Sequence, residues 1–208
     1  MTEPRFTYPI VLNLAGRRVL VVGGGNVALR KARDLADAGA AVRVVAPEFL
    51  PEFASDGRFA CVAAAYGAAH ARGAAIVVAA TDDEAVNVRV AADARKAGAL
   101  VNVVDRPELC DFIVPAQVTR GDLVIAVSTG GAAPSLARRL RERLEKEFGP
   151  EYETLLEALR GVRERLKADG AAPDVRRRVF ERLTEDDILA AARDGPDALR
   201  RAIDAAIE

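Results

Sequence analysis

The side chains able to do chemistry in this sequence are few, and most stand where an apolar run ends. Val19–Val22 leads into Gly23-Gly24-Gly25, followed by Asn26-Val27-Ala28 and a basic segment. Glycines at that spacing allow a tight turn and close backbone approach, and a helix beginning just after them offers free N–H groups to a phosphate. A second apolar run ends at Asp105, in Asn102-Val103-Val104-Asp105-Arg106-Pro107. A carboxylate there has general-base chemistry available to it. On local signals alone, an aspartate closing a turn before proline is the simpler reading. Ser128-Thr129-Gly130-Gly131 closes a third run with hydroxyls and backbone N–H groups together. That stretch reads equally as an anion cradle or as a capped turn.

Other chemistries lack the residues they need. There is one histidine, His70, expected in a solvent-facing turn, and two cysteines, Cys61 and Cys110, with no Cys-x-x-Cys or His-x-x-x-His spacing. A preformed metal centre is therefore not expected, and none is assigned. No G-x-S-x-G elbow is present, so carboxylates must supply any acid–base catalysis. Thirty basic residues balance thirty-one acidic ones, which argues against nucleic acid as a partner. The start, MTEPRFTYPIVLNL, has no basic leader region, and no apolar run is long enough to span a membrane. With two cysteines in no disulfide-like spacing, a reduced, cytoplasmic protein is expected.

The scaffold follows from hydrophobic periodicity. Apolar segments Val19–Val22, Ala41–Ala46, Arg58–Ala64, Ala74–Ala80 and Ala99–Val104 read as strands. Between them lie a helix over Leu29–Ala38, a loop or short helix over Phe49–Gly57, a brief helix at Ala68–Arg72 and a helix over Glu84–Ala97. Thr81 or Asp82 is placed to cap the last of these. The alternation predicts an α/β fold with a Rossmann-type parallel sheet, and Phe6–Leu14 is expected as an edge segment before it. In that context Gly23-x-Gly25-x-x-Ala28 reads as a dinucleotide site rather than a packing turn. Glu48 lies about twenty residues further on, where an acidic side chain binds the ribose hydroxyls of NAD and repels the 2′-phosphate of NADP.

Beyond Cys110 the pattern changes. Phe112–Val118 and Leu123–Ser128 are predicted as two strands joined by Thr119–Asp122. A helix from Pro134 follows, with Leu136, Leu140 and Leu144 as a stripe running to Phe148. So small a layer suggests a subunit interface, in which two chains complete each other's core. The arginines of that helix, Arg138, Arg139, Arg141 and Arg143, alternate with glutamates and suit a solvated face. After Gly149-Pro150 the chain is helical, with Tyr152, Leu155, Leu156, Leu159, Val162 and Leu166 on one face. Helices over Pro173–Leu183, Thr184–Arg193 and Pro196–Ile207 complete it, Thr184 and Asp187 forming a T-x-x-D capping signal. The expected division is a nucleotide domain over residues 1–113, a dimerisation region over 114–148 and an all-helical domain over 149–208.

Four segments, YPIVLNLAGRRVLVVGGGNVALRKA, ATDDEAVN, VNVVDRPELCDFIVPA and IAVSTGGAAPSLARRLRERLE, carry a family resemblance. Together, in this order, they resemble the precorrin-2 dehydrogenases, including the dehydrogenase/ferrochelatase module of siroheme synthases. The resemblance implies oxidation of precorrin-2 to sirohydrochlorin with NAD as hydride acceptor, by a homodimer. In several members the same site then takes ferrous iron as a substrate and inserts it to give siroheme. By position, Gly23, Gly25, Asn26, Val27, Pro47, Glu48, Thr81 and Asp82 would contact the cofactor. Asp105 falls on the family's catalytic aspartate, and Ser128, with Thr129 and Gly130, falls in its substrate-binding region. The chain stops at Glu208, short of the methyltransferase portion of trifunctional members, so precorrin-2 is expected to be made elsewhere. Two other readings stand beside this one. A non-catalytic NAD-sensing dimer would need the glycines but not Asp105, and a dehydrogenase could act on another substrate.

Overall fold

A strand made almost wholly of Val and Leu can bury both faces, and the first strand does so. In the computed structural model, which describes residues 6–207, β1 (Arg18–Val22) turns Leu20 and Val22 to one face of a sheet and Val19 and Val21 to the other. Both residues facing each way are buried. The sheet has five parallel strands in the order β3-β2-β1-β4-β5: β2 is Ala41–Ala46, β3 Phe59–Ala63, β4 Ile76–Ala79 and β5 Leu100–Val103. Helix α1 (Asn26–Asp37) covers one face through Ala28, Leu29 and Ala32, beside Phe53 of the short helix α2 (Glu52–Ser55). Helix α3 (Glu84–Lys96) covers the other through Val90, Ala91 and Ala94. Each fully buried Val or Leu contributes roughly 1.5–3 kcal/mol, so β1 and β4, buried almost throughout, dominate the stability of this layer. Strand order reverses between β1 and β4, where ligands bind in open α/β sheets.

Several local expectations are corrected. Phe6–Leu14 forms no strand, and Tyr8 is 87% and Val11 86% exposed. β1 already has β2 on one side and β4 on the other, so no free edge remains beside it. Helix α1 begins at Asn26, directly after the glycines, rather than at Leu29. His70 is half-buried, not solvent-facing: its Nδ1 accepts the Gly67 N–H at 3.0 Å and closes a 3-10 turn over Ala68–Ala71. The absence of a leader, read partly from residues 1–5, lies outside the described residues.

One ionic cluster ties α1 to the α2–β3 connection. The Asp56 carboxylate accepts from Arg58 Nε at 2.7 Å and Nη2 at 2.8 Å, and from Arg33 Nε at 3.1 Å. Arg58 beside it holds the carboxyl well below the usual carboxylate range. A carboxyl depressed in the folded state stabilises the fold above its unfolded pKa, near 4, and loses that effect as pH falls towards its folded value. Asp56→Asn is therefore expected to lower the melting temperature at pH 7. The gap from the unsubstituted protein should narrow progressively in melts below about pH 4.

The chain divides into two compact units, Met1–Val114 and Pro115–Glu208. In the second, β6 (Ala116–Arg120) and β7 (Leu123–Val127) form an antiparallel hairpin turning at Gly121-Asp122. The first of these strands starts four residues later than its apolar run, because Pro115 has no N–H to give and the Phe112 carbonyl is taken by Asn102. Thr119 and Arg120, expected in the connection, instead pair with Val124 and Leu123. Helix α4 (Pro134–Glu147) packs on the hairpin, and Arg120 binds the Phe148 carbonyl at 2.9 Å and the Glu145 carbonyl at 3.2 Å. Four further helices, α5 (Glu151–Ala168), α6 (Pro173–Arg182), α7 (Asp186–Arg193) and α8 (Pro196–Ile207), close over Leu155, Leu159, Leu183, Ile188, Leu199 and Ile203. Thr184 does not cap α7, whose cap position is Glu185. Its hydroxyl bonds to the Phe180 and Glu181 carbonyls and finishes α6 instead.

Candidate active site

The three glycines after β1 have three different surroundings. Gly23 has φ +131°, and a Cβ there would collide with the Ala80 carbonyl oxygen at the end of β4. At Gly24 a Cβ would strike the Glu48 carbonyl oxygen beyond β2, and the Gly24 carbonyl accepts the Leu50 N–H at 3.0 Å. These two positions let the turn fit between the ends of β2 and β4. Gly25 is different: a Cβ there would meet no protein atom within 4 Å. It is the cap residue of α1, no side chain caps that helix, and no acidic residue stands in its first turn. The first backbone bond into the turn is Leu29 N–H to the Gly25 carbonyl, so the N–H groups before it point out of the helix end. Ala28 is fully buried against Gly23, so any larger side chain would push α1 off the sheet. Open space at Gly25 beside an uncapped helix end fits a dinucleotide diphosphate.

The ends of the neighbouring strands complete a rim around that turn. Pro47 and Glu48 follow β2 and are exposed. Thr81 and Asp82 follow β4, but neither caps α3. Asp83 does, accepting the Val86 N–H at 3.1 Å. Thr81 is held by Asn87, which accepts its hydroxyl at 2.8 Å and donates to its carbonyl at 2.8 Å. Asn87 is one of two buried polar residues among those described. The T-D-D-x-x-V-N spacing, which places it one helical turn into α3, is the only sequence signal for that role.

Asp105 stands just beyond β5 and is exposed. It is the only described non-glycine residue with positive φ, at +58°, a conformation that aspartate tolerates better than most side chains. Among the described residues its carboxylate makes no hydrogen bond, so it does not brace the turn as a turn-forming aspartate would. The loop carrying it is fixed by its neighbours. Arg106 pairs with Glu84 and Glu108. Cys110 Sγ accepts the Val103 N–H at 3.1 Å, and Asp111 accepts the Val101 N–H at 3.0 Å and Arg95 Nε at 2.9 Å. Asn102 donates to the Phe112 carbonyl at 3.0 Å. The open edge of β5 is thus filled by side chains of the segment that follows it. Burial pushes the Cys110 thiol up, so it serves as a neutral staple rather than a nucleophile. A cavity of about 270 Å³ opens beside this loop, lined by Arg30, Lys31, Asn102, Asp105, Cys110 and Ile113 among others.

The first unit therefore gathers Gly23, Gly25, Asn26, Val27, Pro47, Glu48, Thr81, Asp82 and Asp105 at the carboxyl ends of its strands. Ser128, Thr129 and Gly130 belong to the second unit. There Ser128 Oγ accepts the Gly130 N–H at 3.1 Å and Thr129 Oγ1 accepts the Ala133 N–H at 3.2 Å, forming a hydroxyl-braced turn ahead of α4. Among the described residues no cluster of metal-ligating side chains is present, and no helix is long and apolar enough to cross a membrane.

The model of a putative NAD(P)-binding family matches residues 10–116, half of the chain. The chain belongs to that family. A second family model, for the central part of sirohaem biosynthesis proteins, matches residues 120–147. The siroheme synthase of Azotobacter vinelandii is 49% identical over 176 residues, covering 83% of this chain and 38% of that protein. That of Chromobacterium violaceum is 44% identical over 198 residues, covering 94% of this chain and 42% of its own. The chain thus spans about two fifths of the length of the curated relatives it matches. A solved structure, SirC, a precorrin-2 dehydrogenase, superposes with a TM-score of 0.77 at 28% identity, covering 96% of this chain and 98% of that one. The family resemblance drawn from the four sequence segments and the Rossmann-type fold are both borne out.

Proposed function

We propose that this chain oxidises precorrin-2 to sirohydrochlorin with NAD⁺, working as a homodimer. One observation carries this most: an open glycine turn and a fixed, unbonded carboxylate, Asp105, occur at the strand ends of one sheet. Likeness to a precorrin-2 dehydrogenase over nearly the whole chain supports the choice of substrate.

The bound dinucleotide supplies the hydride acceptor. N–H groups of Asn26 and Val27 bind its diphosphate, and Gly25 leaves room for it. Glu48, with Pro47, meets the adenosine ribose. Thr81, fixed by Asn87, and Asp82 line the rim beside it. Loss of a hydride from the substrate leaves a cation that must also lose a proton, and Asp105 takes that proton. Ser128, Thr129 and Gly130 bind a peripheral carboxylate of the substrate through hydroxyl and N–H groups. Where ferrous iron is a further substrate, the same carboxylate removes the pyrrole protons that the metal displaces. The homodimer draws support from apolar side chains uncovered in the second unit: Val124 of β7 is 44% exposed and Leu136 of α4 is 49% exposed.

Incubation with precorrin-2 and NAD⁺ should give the sirohydrochlorin spectrum, and later addition of ferrous iron tests insertion. No spectral change in the first step would reject the dehydrogenase and favour a cofactor-sensing module. Glu48→Gln is expected to narrow the preference for NAD over NADP by about tenfold, as a repelling charge is removed. Comparison of the two dissociation constants checks it.

A further inference from the structure

Lys31 sits in the second turn of α1, between the buried Ala28 and Ala32, and is itself half-buried. Lysine is seldom drawn into a protein without a partner. Among the described residues no carboxylate lies within ion-pair distance of this ammonium. Burial pushes its pKa down, and the field of Asp34 only partly opposes that. The side chain lines the cavity of about 270 Å³ that Asp105 also lines, with Ile113 and Val114 giving it apolar wall. Taking a cation out of water with no anion beside it costs free energy that an arriving anion returns.

We propose that Lys31 is a specificity-determining residue that holds a peripheral carboxylate of the tetrapyrrole in this cavity, next to Asp105. The inference rests on the tetrapyrrole dehydrogenase reading. Nothing on the dinucleotide is required to reach Lys31, because the open space at Gly25 and the uncapped start of α1 already accommodate the diphosphate. The ammonium donates charge-assisted hydrogen bonds to the carboxylate and takes no proton from it. Its effect is on binding and orientation rather than on the transfer of hydride.

Lys31→Met and Lys31→Arg separate the possibilities. Removing a half-buried cation that has no ion-pair partner among the described residues should leave the melting temperature unchanged or raised, so a folded variant is expected. Binding of uroporphyrin III, a polycarboxylate porphyrin, is read by fluorescence, NAD⁺ binding by calorimetry and turnover with precorrin-2 by absorbance. Lys31→Met is expected to weaken porphyrin binding and to raise KM for precorrin-2 by about tenfold or more, with kcat and NAD⁺ affinity little changed. Lys31→Arg should recover most of the loss. If the unsubstituted protein binds the porphyrin but does not oxidise precorrin-2, the dehydrogenase reading fails while porphyrin binding still decides the role of Lys31. Unaltered porphyrin binding by Lys31→Met, no porphyrin binding by the unsubstituted protein, or a loss that falls on NAD⁺ would each overturn the assignment.

Discussion

Asp105→Asn is expected to lower kcat for precorrin-2 oxidation by about 10²–10⁴-fold, the range set by loss of a positioned general base. Asparagine is the informative replacement. It adopts positive φ about as readily as aspartate, so the +58° backbone at this position is retained. The loop is held by Cys110, Asp111 and Asn102 and not by the Asp105 carboxylate, so its fold should not depend on that charge. NAD⁺ affinity and melting temperature should therefore stay close to those of the unsubstituted protein. Steady-state kinetics with calorimetric titration of NAD⁺ checks both halves. A variant retaining full turnover would remove Asp105 from the mechanism, and one that lost NAD⁺ binding as well would make its role structural.

Gly25→Ala is expected to weaken NAD⁺ binding by one to two orders of magnitude, roughly 1.4–2.8 kcal/mol, with only a small loss of stability. The added methyl meets no protein atom within 4 Å, and the backbone there, φ −91°, suits any residue. What the methyl does meet is the space a diphosphate must enter. Gly24→Ala should behave oppositely. Its methyl would collide with the Glu48 carbonyl, so the turn itself must move and the melting temperature should fall along with affinity. Isothermal titration and thermal melts of the two variants distinguish a residue that makes room for a ligand from one that makes room for the fold.

How much of this was legible in the sequence depended on the range of the interactions. The five strands were legible because largely apolar runs of four to six residues each begin two or three residues after a glycine, and both the pattern and the breaks are local. The glycine turn could be read for the same reason. Asp105 was visible as a position, at the end of a strand, while its role rested on family resemblance. The residues that hold the site in shape were not legible. Asn87 binds Thr81 by reaching back six residues from inside a helix, and Cys110 and Asp111 fill the edge of β5 from a returning loop. Such pairings depend on how the loop folds back, which hydrophobic periodicity does not encode. In Thr81-Asp82-Asp83 three adjacent side chains could cap α3, and propensity does not choose among them; the backbone geometry chose Asp83. Phe6–Leu14 has the pattern of a strand, but β1, which it precedes, is already paired on both sides by β2 and β4.

In the proposed reaction, one two-electron oxidation of a tetrapyrrole is coupled to reduction of one dinucleotide at this nucleotide site. This coupling is tested most directly by following NADH and sirohydrochlorin together, in one cuvette, during a single limited conversion of precorrin-2. Equal molar amounts should form with the same time course, and both signals should slow together by about 10²–10⁴-fold in Asp105→Asn. Sirohydrochlorin formed without NADH, or at an unchanged rate in that variant, would rule out this coupling.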